Sequence, residues 1–255
     1  MSGFSAQWLA LREPADVDAR SSALAKFVAR SGQILDLGAG TGSNFRYLSS
    51  RFPLPQHWTL VDHDPALLAR APAGVDTHHA DLNEAVNDDD LFRGCSVVTA
   101  SALLDLVSER WMGRLVRQCR SVEAAVLFAL SYDGRIECTP AEPEDDDVRR
   151  LVNEHQRGDK GFGPALGPDA TSAVVAMLTD AGYTVNQAQS DWKLTPDMRA
   201  LQAELIAGWA NVAQEIAPDK AAIIDDWQTR RRAHVRAGRS RIVVGHLDVA
   251  GICRA

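Results

Sequence analysis

The sequence predicts a doubly wound α/β domain built on a mostly parallel sheet, and three observations carry that expectation. Short apolar runs of strand length alternate with amphipathic stretches from residue 33 to residue 131, the spacing of βαβ units. The runs read as buried strands, as in a sheet covered by helices on both faces. The first of them opens directly into a glycine-rich turn, Asp36-Leu37-Gly38-Ala39-Gly40-Thr41-Gly42, at the mouth of a helix.

Taken in order, the pattern predicts helices at about 5–12 and 15–30, a strand at 33–37, a helix at 44–51, a strand at 57–61 and a short helix at 65–70. Strands follow at 75–79, 95–100 and 122–131, with a helix at 109–120 between the last two. Beyond residue 131 the rhythm changes. An acidic run leads into a helix at 148–156, and Gly158, Gly161, Gly163, Pro164, Gly167 and Pro168 punctuate a loop. Asp169 is placed to cap a helix running to 181, residues 183–189 read as a strand, and Pro196 and Pro218 mark the starts of two long helices. Residues 241–249 close the pattern as a strand.

Composition bounds the function classes. The chain has 255 residues, 45% of them apolar and 24% charged, with 34 acids against 27 Lys and Arg and a formal charge of −7. Such a chain can bury a full core without disulfides or metal. The acidity argues against bulk nucleic acid or an anionic membrane as partner. Cys95, Cys119, Cys138 and Cys253 are widely spaced and form no CxxC pair, so neither a disulfide framework nor a zinc site is expected. The longest apolar run, 124–130, is too short to span a bilayer, and no basic leader opens the sequence; a cytoplasmic protein is expected.

The glycine turn carries the most chemistry. Its backbone N–H groups and the following helix favour electron-rich ligand atoms, and the missing Cβ atoms permit close approach. The glycines fall at alternate positions, whereas a dinucleotide fingerprint wants a glycine where Ser43 stands. Asp36 at the strand end would repel a pyrophosphate but suit a cationic amino group. Both features disfavour an NAD-dependent oxidoreductase.

The arrangement resembles the first motif of class I (Rossmann-like) S-adenosylmethionine-dependent methyltransferases, and two further segments match in order. Thr59-Leu60-Val61-Asp62 puts an acid at the tip of the second strand, where it can accept from both ribose hydroxyls, and His79-Ala80-Asp81-Leu82 ends the third. The resemblance implies S-adenosyl-L-methionine as cofactor and S-adenosyl-L-homocysteine as product. It assigns Asp36, Gly38, Ala39, Gly40 and Gly42 to the methionine end, Asp62 with His63 to the ribose, Asp81 with Leu82 to the adenine, and Ala100 and Ser101 at the fourth strand's end to the same site. It also implies a seven-stranded sheet whose last strand runs antiparallel beside the fifth. The whole is expected to be one domain: a helical cover at 1–30, a cofactor-binding core at 31–131, an acidic and Gly/Pro-rich cover at 132–168, and sheet completion at 169–255 with a helical insertion at about 197–237.

The acceptor is less legible. The fourth strand ends Val98-Thr99-Ala100-Ser101-Ala102-Leu103, without the Asn/Asp-Pro-Pro-Tyr or Pro-Cys motifs of base-methylating relatives, which disfavours DNA. It also lacks a terminal carboxylate for magnesium, so no metal is expected, and Asp105 reads as a solvated or capping residue. The strings at 8–16 and 154–163 resemble those of uncharacterised bacterial methyltransferases. In open α/β sheets ligands sit at the carboxyl ends of the strands. His155 is therefore the candidate general base or substrate contact, with Arg12, Tyr132, Asp133 and Lys160 as candidate substrate neighbours; the alternative for His155 and Lys160 is a solvated helix end. The leading expectation is methyl transfer to an oxygen or nitrogen of a small metabolite. An RNA or protein acceptor and a catalytically silent cofactor-binding protein stay open.

Two segments hold much of the acid. Residues 81–90 carry five acids and 137–147 six, with no Lys or Arg in either, and without these eleven the chain would hold 23 acids to 27 bases. Residues 229–241 hold six arginines and no acid, which reads as a solvated helix face, an anion clamp or a contact for an acidic partner.

Overall fold

The computed structural model describes residues 4–254. Among the described residues there are eight strands: β1 (Gly32–Leu37), β2 (Gln56–Asp62), β3 (Asp76–His79), β4 (Cys95–Ser101), β5 (Ala125–Thr139), β6 (Tyr183–Gln189), β7 (Trp192–Leu194) and β8 (Arg241–Cys253). They form one sheet in the order β3-β2-β1-β4-β5-β8-β6, with β7 also paired to β8. Strands β1 to β5 are mutually parallel, and β8 runs antiparallel between β5 and β6.

Seven of these strands match the expected sheet, and β7 is an addition. Its three residues pair with Ile242, Val243 and Val244, because β5 and β8 both run well past the others. The sequence predicts the end of β5 at residue 131, where the alternation of strands and helices changes. The chain instead keeps its pairing to β8 through two register shifts, between Phe128 and Ser131 and between Tyr132 and Ile136.

The helices are α1 (Ala6–Ala19), α2 (Ser22–Val28), α3 (Ser43–Leu48), α4 (Pro65–Leu68), α5 (Leu82–Ala85), α6 (Asp89–Phe92), α7 (Glu109–Ser121), α8 (Asp145–Gln156), α9 (Ala170–Asp180), α10 (Arg199–Ile216) and α11 (Ala221–Arg236). The predicted helix at 15–30 is split. Helix α1 absorbs Pro14 and ends at Ala19, and Ser21 starts α2 by accepting from the Leu24 amide at 3.3 Å. The Ser21 amide donates to Asp248 Oδ2 at 2.8 Å, which pins the break onto β8.

Three apolar clusters fill the layers. Leu35, Leu37, Val98 and Phe128 pack under α7 and α9, while Ile34, Leu60, Val97 and Leu127 pack under α2 and α3 on the opposite face. The third cluster joins the extended ends of β5 and β8 to α8, α10 and α11 through Leu201, Ile206, Trp209 and Trp227. Each face of the core strands is therefore closed by helices, as their unbroken apolar runs require.

Two arginines of the run, Arg230 and Arg231, touch acids of this chain. Arg231 is fully buried and pairs with Asp145, Arg230 binds Glu142 and Glu144 at 2.7 and 2.5 Å, and His234 Nε2 meets Glu142 Oε1 at 2.7 Å. Trp227 Nε1 also donates to Asp145, at 2.8 Å. The acidic partner of Arg230 and Arg231 is the chain's own acidic segment at the start of α8. Glu142, Glu144 and Asp145 thereby dock α11.

Candidate active site

The glycine turn leaves β1 with Gly38, Gly40 and Gly42 at φ +67°, +55° and +81°, which L side chains rarely adopt. It is tied to the tip of β2. The Ala39 amide donates to Val61 O at 3.0 Å and the Gly40 amide to Asp62 Oδ2 at 2.8 Å, while Asp62 Oδ1 accepts from the Asp64 amide at 3.0 Å. A Cβ at Gly42 would lie 2.7 Å from Pro72 Cδ, and one at Gly40 would lie 2.9 Å from Leu9 Cδ1 of α1. Leu103 and Leu82 stand over Gly38, 3.5 and 3.8 Å from its Cβ position.

Asp36 faces α3 from the side of β1 opposite Leu35 and Leu37. It is fully buried, and Asn44 Nδ2 donates both to its Oδ1 and to Thr99 Oγ1, each at 2.9 Å. Burial pushes the Asp36 carboxyl up to about 7; the Asn44 hydrogen bond and the Arg20 charge pull it down, and Asp62 adds to the rise. Arg20, at the end of α1, is buried as well and donates from Nη2 to Ser101 Oγ at 2.9 Å.

Five buried polar atoms here have no hydrogen-bond partner among the described residues: Ser43 Oγ at the end of the turn, together with Arg20 Nε, Arg20 Nη1, Asp36 Oδ2 and Asn44 Oδ1. Buried polar groups in folded proteins are almost always paired, because leaving one unmade costs about 1–3 kcal/mol. Two donors of fixed positive charge and two acceptors, one of them a carboxyl, are the complement of a zwitterionic amino-acid end. An ammonium would satisfy Asp36 and Asn44, and a carboxylate would satisfy Arg20. The residues therefore fit the methionine end of S-adenosylmethionine.

The predicted ribose and adenine residues follow along the strand ends. Asp62 is buried, while His63 is exposed and its Nδ1 lies 3.3 Å from Asp62 Oδ1; its carbonyl meets His79 Nε2 at 3.0 Å. Asp81 is exposed and caps α5 by accepting from the Asn83 amide at 2.7 Å. Asn83 Nδ2 also donates to Gly161 O at 3.0 Å, Phe162 meets Trp111 edge-on at 5.7 Å, and Trp111 Nε1 donates to Leu82 O at 3.0 Å. The Gly-rich loop after α8 is thereby fastened beside Asp81 and Leu82. Ala100 is buried under the sheet's end and Ser101 holds Arg20.

The expected acceptor residues separate into two groups. Arg12 is buried and binds Asp16 through Nε and Nη2 at 3.0–3.3 Å; its guanidinium lies 4.8 Å from the centre of Trp192, whose Nε1 donates to Asp16 Oδ1 at 3.0 Å. Tyr132 is buried with its hydroxyl on Asn153 Oδ1 at 2.7 Å, and its ring meets the buried His246 at 6.2 Å. Asp133, by contrast, is taken up by Arg135, which also reaches Asp191. His155 lies at the end of α8 with Nε2 3.5 Å from Glu215 and Nδ1 3.2 Å from Lys160 Nζ, so its partners belong to the cover and not to the glycine turn. Its imidazole is held below the usual range by burial first and the Lys160 charge second.

The sequence reading missed Arg20 and His246. The Ser21-Ser22 pair that breaks the helix was the available signal for Arg20, since it turns that side chain inward; His246, inside an apolar run, had only its unusual polarity to mark it. Asp105, expected as a solvated or capping residue, is buried at the turn after β4.

No family model matches the sequence, and no curated protein matches it either. Solved structures do match. A cyclopropane-fatty-acyl-phospholipid synthase-like protein from Lactobacillus casei aligns with a TM-score of 0.59 at 14% identity, over 99% of this chain and 95% of that one. A protein assigned as a type II methyltransferase from Anaeromyxobacter dehalogenans gives 0.54 at 15% identity, over 91% and 96%. The chain has the class I methyltransferase fold. The cyclopropane synthase MmaA2 from Mycobacterium tuberculosis shares this methyltransferase fold at a TM-score of 0.52 and 10% identity, over 98% and 94%. Among the described residues no helix of this fold is long and apolar enough to cross a membrane.

Proposed function

We propose that the protein is an S-adenosylmethionine-dependent methyltransferase acting on an oxygen or nitrogen of a small molecule. The observation that carries the reading is the set of unpartnered buried groups on Arg20, Asp36 and Asn44 beside the glycine turn. When bound, the cofactor supplies an activated methyl group on a sulfonium. The chain's own residues do the rest. Arg20, Asp36 and Asn44 hold the amino-acid end, Asp62 serves the ribose, and Asp81 and Leu82 border the adenine. Leu9 and Leu103 cover the glycine turn and keep water out, so the rate gain comes largely from positioning in a dry site.

Support for a small-molecule acceptor over RNA comes from Arg230 and Arg231, two of the six arginines in the run, which are already committed to internal acids. The reading is tested by titration calorimetry with S-adenosylhomocysteine. Binding is expected for the wild type and is expected to weaken about tenfold or more in Arg20→Met and in Asp36→Ala, each of which deletes a charge-assisted contact. A wild-type protein that does not bind the nucleoside overturns it.

A further inference from the structure

Two residues other than glycine adopt left-handed backbone at the mouth of the sheet. Ala102 has φ +53° and Leu130 has φ +57°, and they follow β4 and interrupt β5 side by side, with the Ala102 amide donating to Ala129 O at 2.9 Å. Strained conformations of this kind persist where surrounding structure enforces them, and they cluster at functional sites. Here the turn at Ala102 places Leu103 on Gly38 and carries Asp105 inward, where it is 6% exposed. No side chain among the described residues donates a hydrogen bond to the Asp105 carboxyl. Its charged and titratable surroundings are Arg12 from α1 and Tyr132 from β5; helix α9 turns none towards it, and Asp169 on the neighbouring 3-10 turn is exposed and bound to Arg157.

Resting on the methyltransferase reading, we propose that Asp105 is the general base for an acceptor whose nucleophilic oxygen or nitrogen carries a proton, a hydroxyl or an amine. The nucleophile's lone pair forms the bond to the methyl carbon. The carbon–sulfur bond breaks with its electron pair going to sulfur, which changes from sulfonium to thioether. The proton on the nucleophile passes to the Asp105 carboxylate and then to water. Burial raises this carboxyl to about 6, with Arg12 and backbone amides opposing the rise, which suits a base working near neutrality. His246, whose ring lies 6.2 Å from that of Tyr132, is a fixed neutral group. Its Nδ1 lies 3.0 Å from Val244 O, and burial with the Arg12 charge drops the imidazole to about 3, too low to take up a proton in this role.

The test uses methyl-labelled S-adenosylmethionine at saturating concentration with a small-molecule extract of the producing cell. Asp105→Asn is expected to bind S-adenosylhomocysteine within about twofold of the wild type and to transfer label about 100-fold more slowly at pH 7, the low end for loss of a general base. The wild-type rate is expected to climb between pH 5 and 7 and level off, and that step requires no variant to fold. Asp105→Glu is expected to recover part of the rate. An Asp105→Asn protein transferring label at the wild-type rate, a wild-type rate without the step, or a wild type that binds the nucleoside but labels nothing would each overturn the proposal. Failure of the wild type to bind the nucleoside instead removes the reading beneath it.

Discussion

The Gly40 amide donates to Asp62 Oδ2 at 2.8 Å and so fastens the middle of the glycine turn to the tip of the second strand. The same carboxylate accepts from the Asp64 amide, so one side chain shapes both loops around the proposed nucleoside. Asp62→Ala orphans both amides. The expected result is a loss of roughly 1–3 kcal/mol in urea unfolding, together with at least about tenfold weaker S-adenosylhomocysteine binding by calorimetry, equivalent to about 1.4 kcal/mol.

Asp36 makes both binding and stability depend on pH. With the carboxyl at about 7, a neighbouring ammonium favours the ionised form, so binding near pH 7 is expected to release part of a proton, and less at pH 9. Calorimetry in buffers of different ionisation enthalpy measures it. For stability the folded value lies above the unfolded 3.8, so the stabilising share is full below about 3.8 and is lost as pH rises through about 7. Asp36→Asn should flatten that fall, by roughly 2–4 kcal/mol between pH 5 and 8, in denaturant titrations.

The glycines of the turn should tolerate alanine unequally. At Gly40 the new methyl meets the end of the Leu9 side chain, which can move, whereas at Gly42 it meets the rigid ring of Pro72 and the side chain of Leu60. Both pay for left-handed backbone, about 1–2 kcal/mol. Gly42→Ala should therefore lower thermal stability well beyond Gly40→Ala, while Gly40→Ala should chiefly impair nucleoside binding.

Arg231 is expected to behave as a structural residue. Truncation to Met strands the Asp145 carboxylate and frees the Pro140 carbonyl, which Arg231 Nη1 now reaches at 2.5 Å. Breaking a buried pair from one side costs about 3–5 kcal/mol. Equilibrium unfolding should show that loss, with S-adenosylhomocysteine binding by the remaining folded protein unchanged.

The core half of the fold was legible because buried parallel strands leave unbroken apolar runs, and the glycine turn because its backbone angles admit little else. The eighth strand was not, since β7 has only three residues and its pairing is created by distant extensions of β5 and β8. Asp36 and Asp62 stood at strand ends where an acid is conspicuous. Arg20 did not, because its inward direction depends on Ser21 being held by Asp248, a contact between residues 227 positions apart. Asp105 looked solvated because Leu-Leu-Asp-Leu leaves its orientation open, and the left-handed turn at Ala102 decides it.

Arg12, Asp16 and Arg20 fall at intervals of four along one face of the first helical segment, all buried, with Arg20 reaching the proposed cofactor end and Arg12 lying near Asp105. Eight residues of helix measure about 12 Å, so a single stiff rod borders both half-sites. On the proposed function, ordering one end is expected to restrict the other and so to couple nucleoside and acceptor binding. Such coupling is reciprocal: the factor by which the nucleoside sharpens acceptor affinity is the factor by which the acceptor slows the nucleoside's escape at equilibrium.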